Sequence, residues 1–281
     1  MGLIEAIILG IIQGITEFLP ISSTAHLTIA GKLLGLIDNA HPERWTAFIA
    51  VIQLGTLLAV FLYFFRDVLD ISLSFVEDNL ISRKRYRYQS LPSKTGWFVI
   101  VGSVPVGIIG LAFRHVIEGH LTKSMALIST TMIAMALFLG LAEITGRFSK
   151  DLRRISILDS LLIGCAQALA VIPGASRSGS TIAGALFLGM TRESAARFSF
   201  LLSMPAVFAS GLLEFKESMK YIDSHDLFIL IIATAAAAIS GYAAIAFLLR
   251  YLRTHTTYIF VFYRIVLGIA MIIGIKYLNL F

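Results

Sequence analysis

The chain is short of charge, of cysteine and of any concentrated basic region, and each shortage closes off a class of protein. Charged residues make up 14% of its 281 positions, 57% are hydrophobic, and the mean hydropathy is +0.85. A soluble core cannot hide that much apolar surface, so lipid is the solvent for most of the chain. Cys165 is the lone cysteine. An intrachain disulfide is therefore excluded, and its place in an apolar run marks it as a small buried hydrophobe rather than a redox group. The net charge of +6 would suit nucleic acid, but no Lys/Arg cluster sits on a soluble domain. No nucleic-acid partner is expected, and the positive charge reads as membrane topology. Met1-Gly2-Leu3-Ile4-Glu5 lacks the basic start of a cleaved signal peptide, so the first apolar stretch is expected to stay in the mature protein.

Six segments, about residues 45–65, 97–113, 124–143, 197–214, 227–249 and 258–278, reach the roughly 17–25 residues a helical span needs. Trp45, Trp97 and Tyr258 open three of them, as residues of an interfacial belt do. Two further apolar stretches, about 3–36 and 157–190, are each cut by a polar loop: Pro20-Ile21-Ser22-Ser23-Thr24-Ala25-His26, and Pro173-Gly174-Ala175-Ser176-Arg177-Ser178-Gly179-Ser180-Thr181. Helices of roughly 13–16 residues on either side rise only about 20–24 Å, short of the ~30 Å hydrocarbon core. Both stretches are predicted as re-entrant helix-loop-helix hairpins. Irregular backbone at that depth is tolerated only where protein buries it or a polar cavity wets it.

The two halves resemble one another. Gly10-x-x-Gln13 leads to the first serine loop and Gly164-x-x-Gln167 to the second; Thr46 to Gln53 lines up with Ala196 to Ser203. Placing the loops at 66–96, 144–156, 191–197 and 250–257 on one side gathers 14 Lys/Arg there against seven on the other. The richer side is expected to be cytoplasmic. The hairpins then enter from opposite faces and both termini lie outside. The fold class is an all-α polytopic membrane protein with an inverted-topology repeat. Residues 1–143 form the first repeat (hairpin 3–36, spans 45–65, 97–113 and 124–143), and 157–281 the second (hairpin 157–190, spans 197–214, 227–249 and 258–278). Such a repeat brings its polar tips together near the midplane. The loop at 66–95 is expected to be a solvated connection with some amphipathic helix.

Ionisable and hydroxyl groups at that depth mark a functional site. Gln13 and Glu17, four apart on a short helix, face one direction. Ser22, Ser23 and Thr24 fall where the next helix begins and could serve as N-caps alone, but capping explains neither Glu17 nor His26. His26 is one turn past Ser23, which lets its ring approach that hydroxyl; a base beside a hydroxyl is what nucleophilic chemistry needs. Arg177 among Ser176, Ser178, Ser180 and Thr181, just before a helix, makes an anion site with phosphate as the preferred ligand. The competing account is a structural ion pair between Arg177 and Glu17, which needs no ring of hydroxyls. Arg264, about two turns into the last span, is assigned to snorkelling or to a structural bond.

These motifs resemble the bacterial undecaprenyl-diphosphatases, the bacitracin-resistance membrane phosphatases of cell-wall lipid recycling. Gln13, Glu17, Phe18-Leu19-Pro20, Ser22-Ser23-Thr24 and His26 match the family's first motif; Pro173, Gly174, Ser176, Arg177, Ser178 and Thr181 match its second. Gln13 stands where many members have Glu, and Ala25 where Gly is common. The resemblance covers essentially the whole chain. It implies hydrolysis of undecaprenyl diphosphate to undecaprenyl phosphate and phosphate, on the outer face of the bacterial cytoplasmic membrane, with a divalent cation (Mg2+ or Ca2+). The roles that follow are Arg177 as phosphate clamp, Ser23 as nucleophile or substrate ligand, His26 as general acid/base, and Glu17 as base, orienting group or metal ligand. Gln13, Ser22, Thr24, Ser176, Ser178 and Thr181 would contact substrate. The partner is then a polyprenyl diphosphate in the membrane, and a homodimer is compatible with the chain. The rival function is a secondary transporter or flippase of an anionic lipid phosphate, because inverted repeats and broken helices are transporter features. It would move the anion without releasing phosphate.

Overall fold

Apolar runs too long for strands dictate helices, and the computed structural model consists of helices joined by loops over the residues it describes, 1–37, 42–113, 124–218 and 224–277. In chain order these are α1 (Leu3–Phe18), α2 (Ser23–Leu33), α3 (Pro42–Tyr63), α4 (Phe65–Val76), α5 (Leu91–Ala112), α6 (Met125–Thr145), α7 (Ile157–Ala168), α8 (Arg177–Phe187), α9 (Arg192–Ser218), α10 (Ser224–Tyr251) and α11 (Tyr258–Tyr277). The outward charges at Arg114, Lys123 and Lys220 lie outside the described residues.

Four helical segments, Leu91–Ala112, Met125–Thr145, Leu227–Tyr251 and Tyr258–Tyr277, are long and apolar enough to cross a membrane. A fifth qualifies only as a bent pair: the segment ending at Tyr63 and the one from Phe65 to Ile81 meet at 73°. The chain thus turns sharply at Phe64, and α4 is the amphipathic piece expected in the 66–95 loop. The expected span at 197–214 lies in α9, whose 27 residues suffice in length, although α9 is not among the helices that qualify on apolarity. Beyond α4, Asp78 accepts bonds from Lys84 (2.7 Å) and from the Ser90 amide and hydroxyl. Those bonds, the Lys84 one foremost, hold its carboxyl at about 2.

The two broken stretches do form hairpins. α1, at 16 residues, rises about 24 Å and α2 less. What turns the chain is a serine in a conformation few side chains adopt: Ser22 has φ 76° and Ser176 φ 68°. Each caps the helix that follows, Ser22 accepting from the Ala25 amide and Ser176 from the Gly179 amide. The register that sets Gly10 on Gly164 and Gln13 on Gln167 also sets Ser22 on Ser176, while the loop prolines fall one residue out of it.

Packing fixes the directions. Gly10 lies against the Ala233 carbonyl and Gly14 against the Ala237 carbonyl, so α1 runs parallel to α10; Gly164 lies against Gly102, and Ser160 bonds the Phe98 carbonyl, so α7 runs parallel to α5. The return limbs can be compared as well. His26 bonds Tyr263 and Ala25 shares a cluster with Met271, which sets α2 beside α11. Thr257 bonds Glu143 and Gly268 abuts Ser129, which makes α11 antiparallel to α6. Gly174 abuts Ile128 and Phe187 packs on Phe138, which makes α6 parallel to α8. It follows that α8 runs antiparallel to α11. The main apolar cluster, with Phe18, Phe64, Phe200 and Leu202, lies between the first tip and α3, α8 and α9. Cys165, expected to be buried, is exposed, because its face of α7 looks away from the bundle.

Candidate active site

Glu17 organises the site. One carboxylate oxygen accepts from Arg177 Nη2 at 2.8 Å; the other accepts from Ser23 Oγ at 2.7 Å and from Gln13 Nε2 at 3.2 Å. The first contact joins residues of different hairpins. The side chain is 8% exposed, and such charge-assisted bonds away from water are stronger than neutral ones. The ion pair that competed with the anion-site account is therefore present, yet it uses only one edge of the guanidinium. Arg177 Nη1 is buried without a hydrogen-bond partner.

The site opens on a cavity of about 590 Å³. Gln13, Glu17, Ser22, Ser23, Thr24, Ser176 and Arg177 all line it. Because α2 begins at Ser23 and α8 at Arg177, the positive ends of two helices meet the same space, which favours an anion there. The remaining wall is largely apolar, from Ile49 on α3, Val106 and Leu111 on α5, and Val207 on α9.

Three expected site residues stand apart. His26 does not meet the Ser23 hydroxyl: its Nδ1 lies 2.7 Å from the Ser22 carbonyl and its Nε2 2.6 Å from the Tyr263 hydroxyl. The ring turns toward α11, where Nε2 meets Tyr263 while Nδ1 stays on the Ser22 carbonyl, and the Ser23 hydroxyl goes to the nearer charge. Thr181 Oγ1 bonds back to the Arg177 carbonyl at 2.7 Å, inside α8. Ser178 Oγ donates to the Leu19 carbonyl at 3.1 Å, tying the second tip to the first, and also meets Ser176 Oγ at 3.2 Å.

Arg264 carries more than the sequence suggested. It is 0% exposed and does not snorkel. Its guanidinium donates to the carbonyls of Met132, Pro20, Gly174 and Ala175, at 3.2, 3.2, 3.1 and 2.9 Å. No acidic side chain pairs with it among the described residues. Backbone carbonyls of both tips are thus satisfied by one cation, which fixes the distance between the hairpins. The available signal was an arginine inside an apolar segment; its partners are backbone atoms, which leave no mark in a sequence.

Residues 6–270 match the family described as Bacitracin resistance protein BacA. The chain belongs to that family. The BacA assignment agrees with individual relatives along their full lengths. The chain is 60% identical over 272 residues to an undecaprenyl-diphosphatase of Syntrophobacter fumaroxidans, covering 97% of each chain. It is 48% identical to one of Chlorobaculum tepidum, covering 98% of each. A third, from Chloroherpeton thalassium, is 45% identical over 97% of this chain and 96% of its own.

Proposed function

We propose that this protein is a membrane hydrolase that converts undecaprenyl diphosphate to undecaprenyl phosphate and inorganic phosphate, returning the lipid carrier to cell-wall synthesis. The observation that carries the reading is Glu17, which holds Ser23 of one hairpin and Arg177 of the other in a cavity whose remaining wall is largely apolar. A lipid diphosphate has that same division. The names of the full-length relatives point to the same substrate.

Phosphoryl transfer is mostly positioning and charge stabilisation. In the proposed first step Ser23 Oγ attacks the terminal phosphorus while its proton passes to Glu17 Oε2. The bond from phosphorus to the bridging oxygen breaks, and undecaprenyl phosphate leaves with the electron pair. Water then cleaves the phosphoserine to give phosphate and free Ser23. Arg177, exchanging Glu17 for the substrate, spreads its fork over the phosphate oxygens. Ser22, Thr24 and Ser176 complete the polar wall, while Ser178 and Thr181 hold the loop and the helix. The base task falls to Glu17, in contact with Ser23, and His26 acts through the Ser22 carbonyl as a positioning residue. No cluster of three or more His, Cys, Asp or Glu exists among the described residues. Glu17 and the unpartnered Gln13 Oε1 are the protein groups that would hold a divalent cation brought in on the diphosphate. Such an ion would neutralise charge on the phosphate oxygens.

We further propose the inverted repeat, supported by the matched serine caps, and a site open to the outer side of the cytoplasmic membrane. The cavity is lined by the N-terminal half of α3 and the C-terminal half of α5, the ends away from the basic 83–87 segment. Phosphate release from undecaprenyl diphosphate by the purified protein, with and without chelator, tests the reading. Movement of the lipid without release would favour the transporter. Acid quenching of head-labelled substrate should trap label on wild-type protein and none on Ser23→Ala.

A further inference from the structure

Glycine inside a helix weakens it, so each one calls for a reason. Gly102 of α5 has one: a Cβ there would strike Ser160 and Leu202 within 2.8 Å. Gly107 and Gly110, further along the same helix, have none of the usual reasons. An added Cβ would meet no described atom within 4 Å at either, and neither has positive φ. Spaced three apart, they lie on one face of α5, and both line the cavity.

The polar part of that cavity's wall is built for a ligand. Gln167 is 0% exposed, borders the cavity, and has no hydrogen-bond partner at either Oε1 or Nε2 among the described residues. Gln13 Oε1 and Arg177 Nη1 are buried and unpartnered beside it. Polar atoms kept dry and unpaired are costly unless a ligand uses them. The α5 wall differs. It runs along Val106, Gly107, Gly110 and Leu111, and Leu111 is 74% exposed on a helix that shows most of its surface to the outside.

We propose that the Gly107–Gly110 face of α5 is the seat of the substrate's hydrocarbon chain where it leaves the cavity for the lipid, and that the missing side chains set which chains can pass. The inference rests on the phosphatase reading and adds the positions that select the tail. The diphosphate lies at the Gln167 and Arg177 end, and the first prenyl units cross α5 over the two glycines.

The test uses the full-length chain. Gly107→Leu and Gly110→Leu should each lower kcat/KM for undecaprenyl diphosphate by about tenfold or more, because the added side chain occupies the seat. A single-isoprene diphosphate, too short to cross the seat, should be turned over as by wild type. Gly107→Ala should melt no lower than wild type, since nothing is there to clash. Equal losses on both substrates, an unaffected long substrate, or a change confined to oligomeric state would overturn the proposal. A second measurement does not need turnover. In a Cys165→Ala background, the thiol introduced by Gly110→Cys should be shielded from maleimide by undecaprenyl phosphate and not by inorganic phosphate. Equal labelling with and without the lipid would refute the seat. Absence of phosphate release by wild type would count against the phosphatase reading alone.

Discussion

The two hairpin tips share a backbone and differ in chemistry. Both turn through a serine with positive φ, and both use that serine to cap the returning helix. In the common register Ser23 stands where Arg177 stands, Glu17 where Val171 stands, and His26 where Ser180 stands. One tip therefore supplies a carboxylate and a hydroxyl, and the other a guanidinium. Two positive helix ends face one space, and in the proposed mechanism the few side chains that differ give that space a nucleophile side and a clamp side.

The sharpest way to break this division is at Glu17, which both tips contact. Glu17→Gln should reduce phosphate release by roughly a thousandfold, the scale of a lost general base, in protein that still extracts and melts as a folded species. Activity near wild type would move the base elsewhere. On the clamp side, Arg177→Ala is expected to lose roughly a hundred- to a thousandfold in kcat, and Arg177→Lys should recover little, because a point charge lacks the fork. A fully active Lys variant would show that charge alone suffices.

Arg264 tests whether the tips act as a pair. Arg264→Met strands carbonyls on both loops, for a cost on the order of 3 kcal/mol, seen as a lower melting temperature together with reduced kcat. A variant that melts normally and turns over normally would mean that the hairpins hold their spacing without it. The smallest effects belong to the caps. Ser22→Ala and Ser176→Ala should each cost about 1 kcal/mol, and near-equal values would sharpen the equivalence of the two turns. A large inequality would show that only one tip depends on its cap.

Much of this was legible in the chain because it is written locally. Apolar length gave most of the spans, and a polar loop inside a short apolar stretch gave each hairpin, since lipid forbids the alternatives. Glu17, Ser23 and Arg177 were identifiable as chemical groups at membrane depth. Their meeting was less so. The i+3 spacing that placed His26 near Ser23 describes a helix face, and Tyr263 of a distant segment outbid it for the ring. Thr181 looked like part of a hydroxyl ring, yet its helix offered the Arg177 carbonyl one turn back.

By itself, then, the sequence determined the solvent, the hairpins, the resemblance between halves and the residue types at each tip, all of which follow from periodicity and from the cost of polar groups in hydrocarbon. Tertiary structure alone decided that Glu17 bridges the tips, that Arg264 binds both loops through backbone carbonyls, and that Gly107 and Gly110 line the cavity with no described atom against them. The physical reason is that these contacts join segments far apart in the chain, and which partner a side chain takes depends on what packing brings within about 3 Å of it, which no local pattern records.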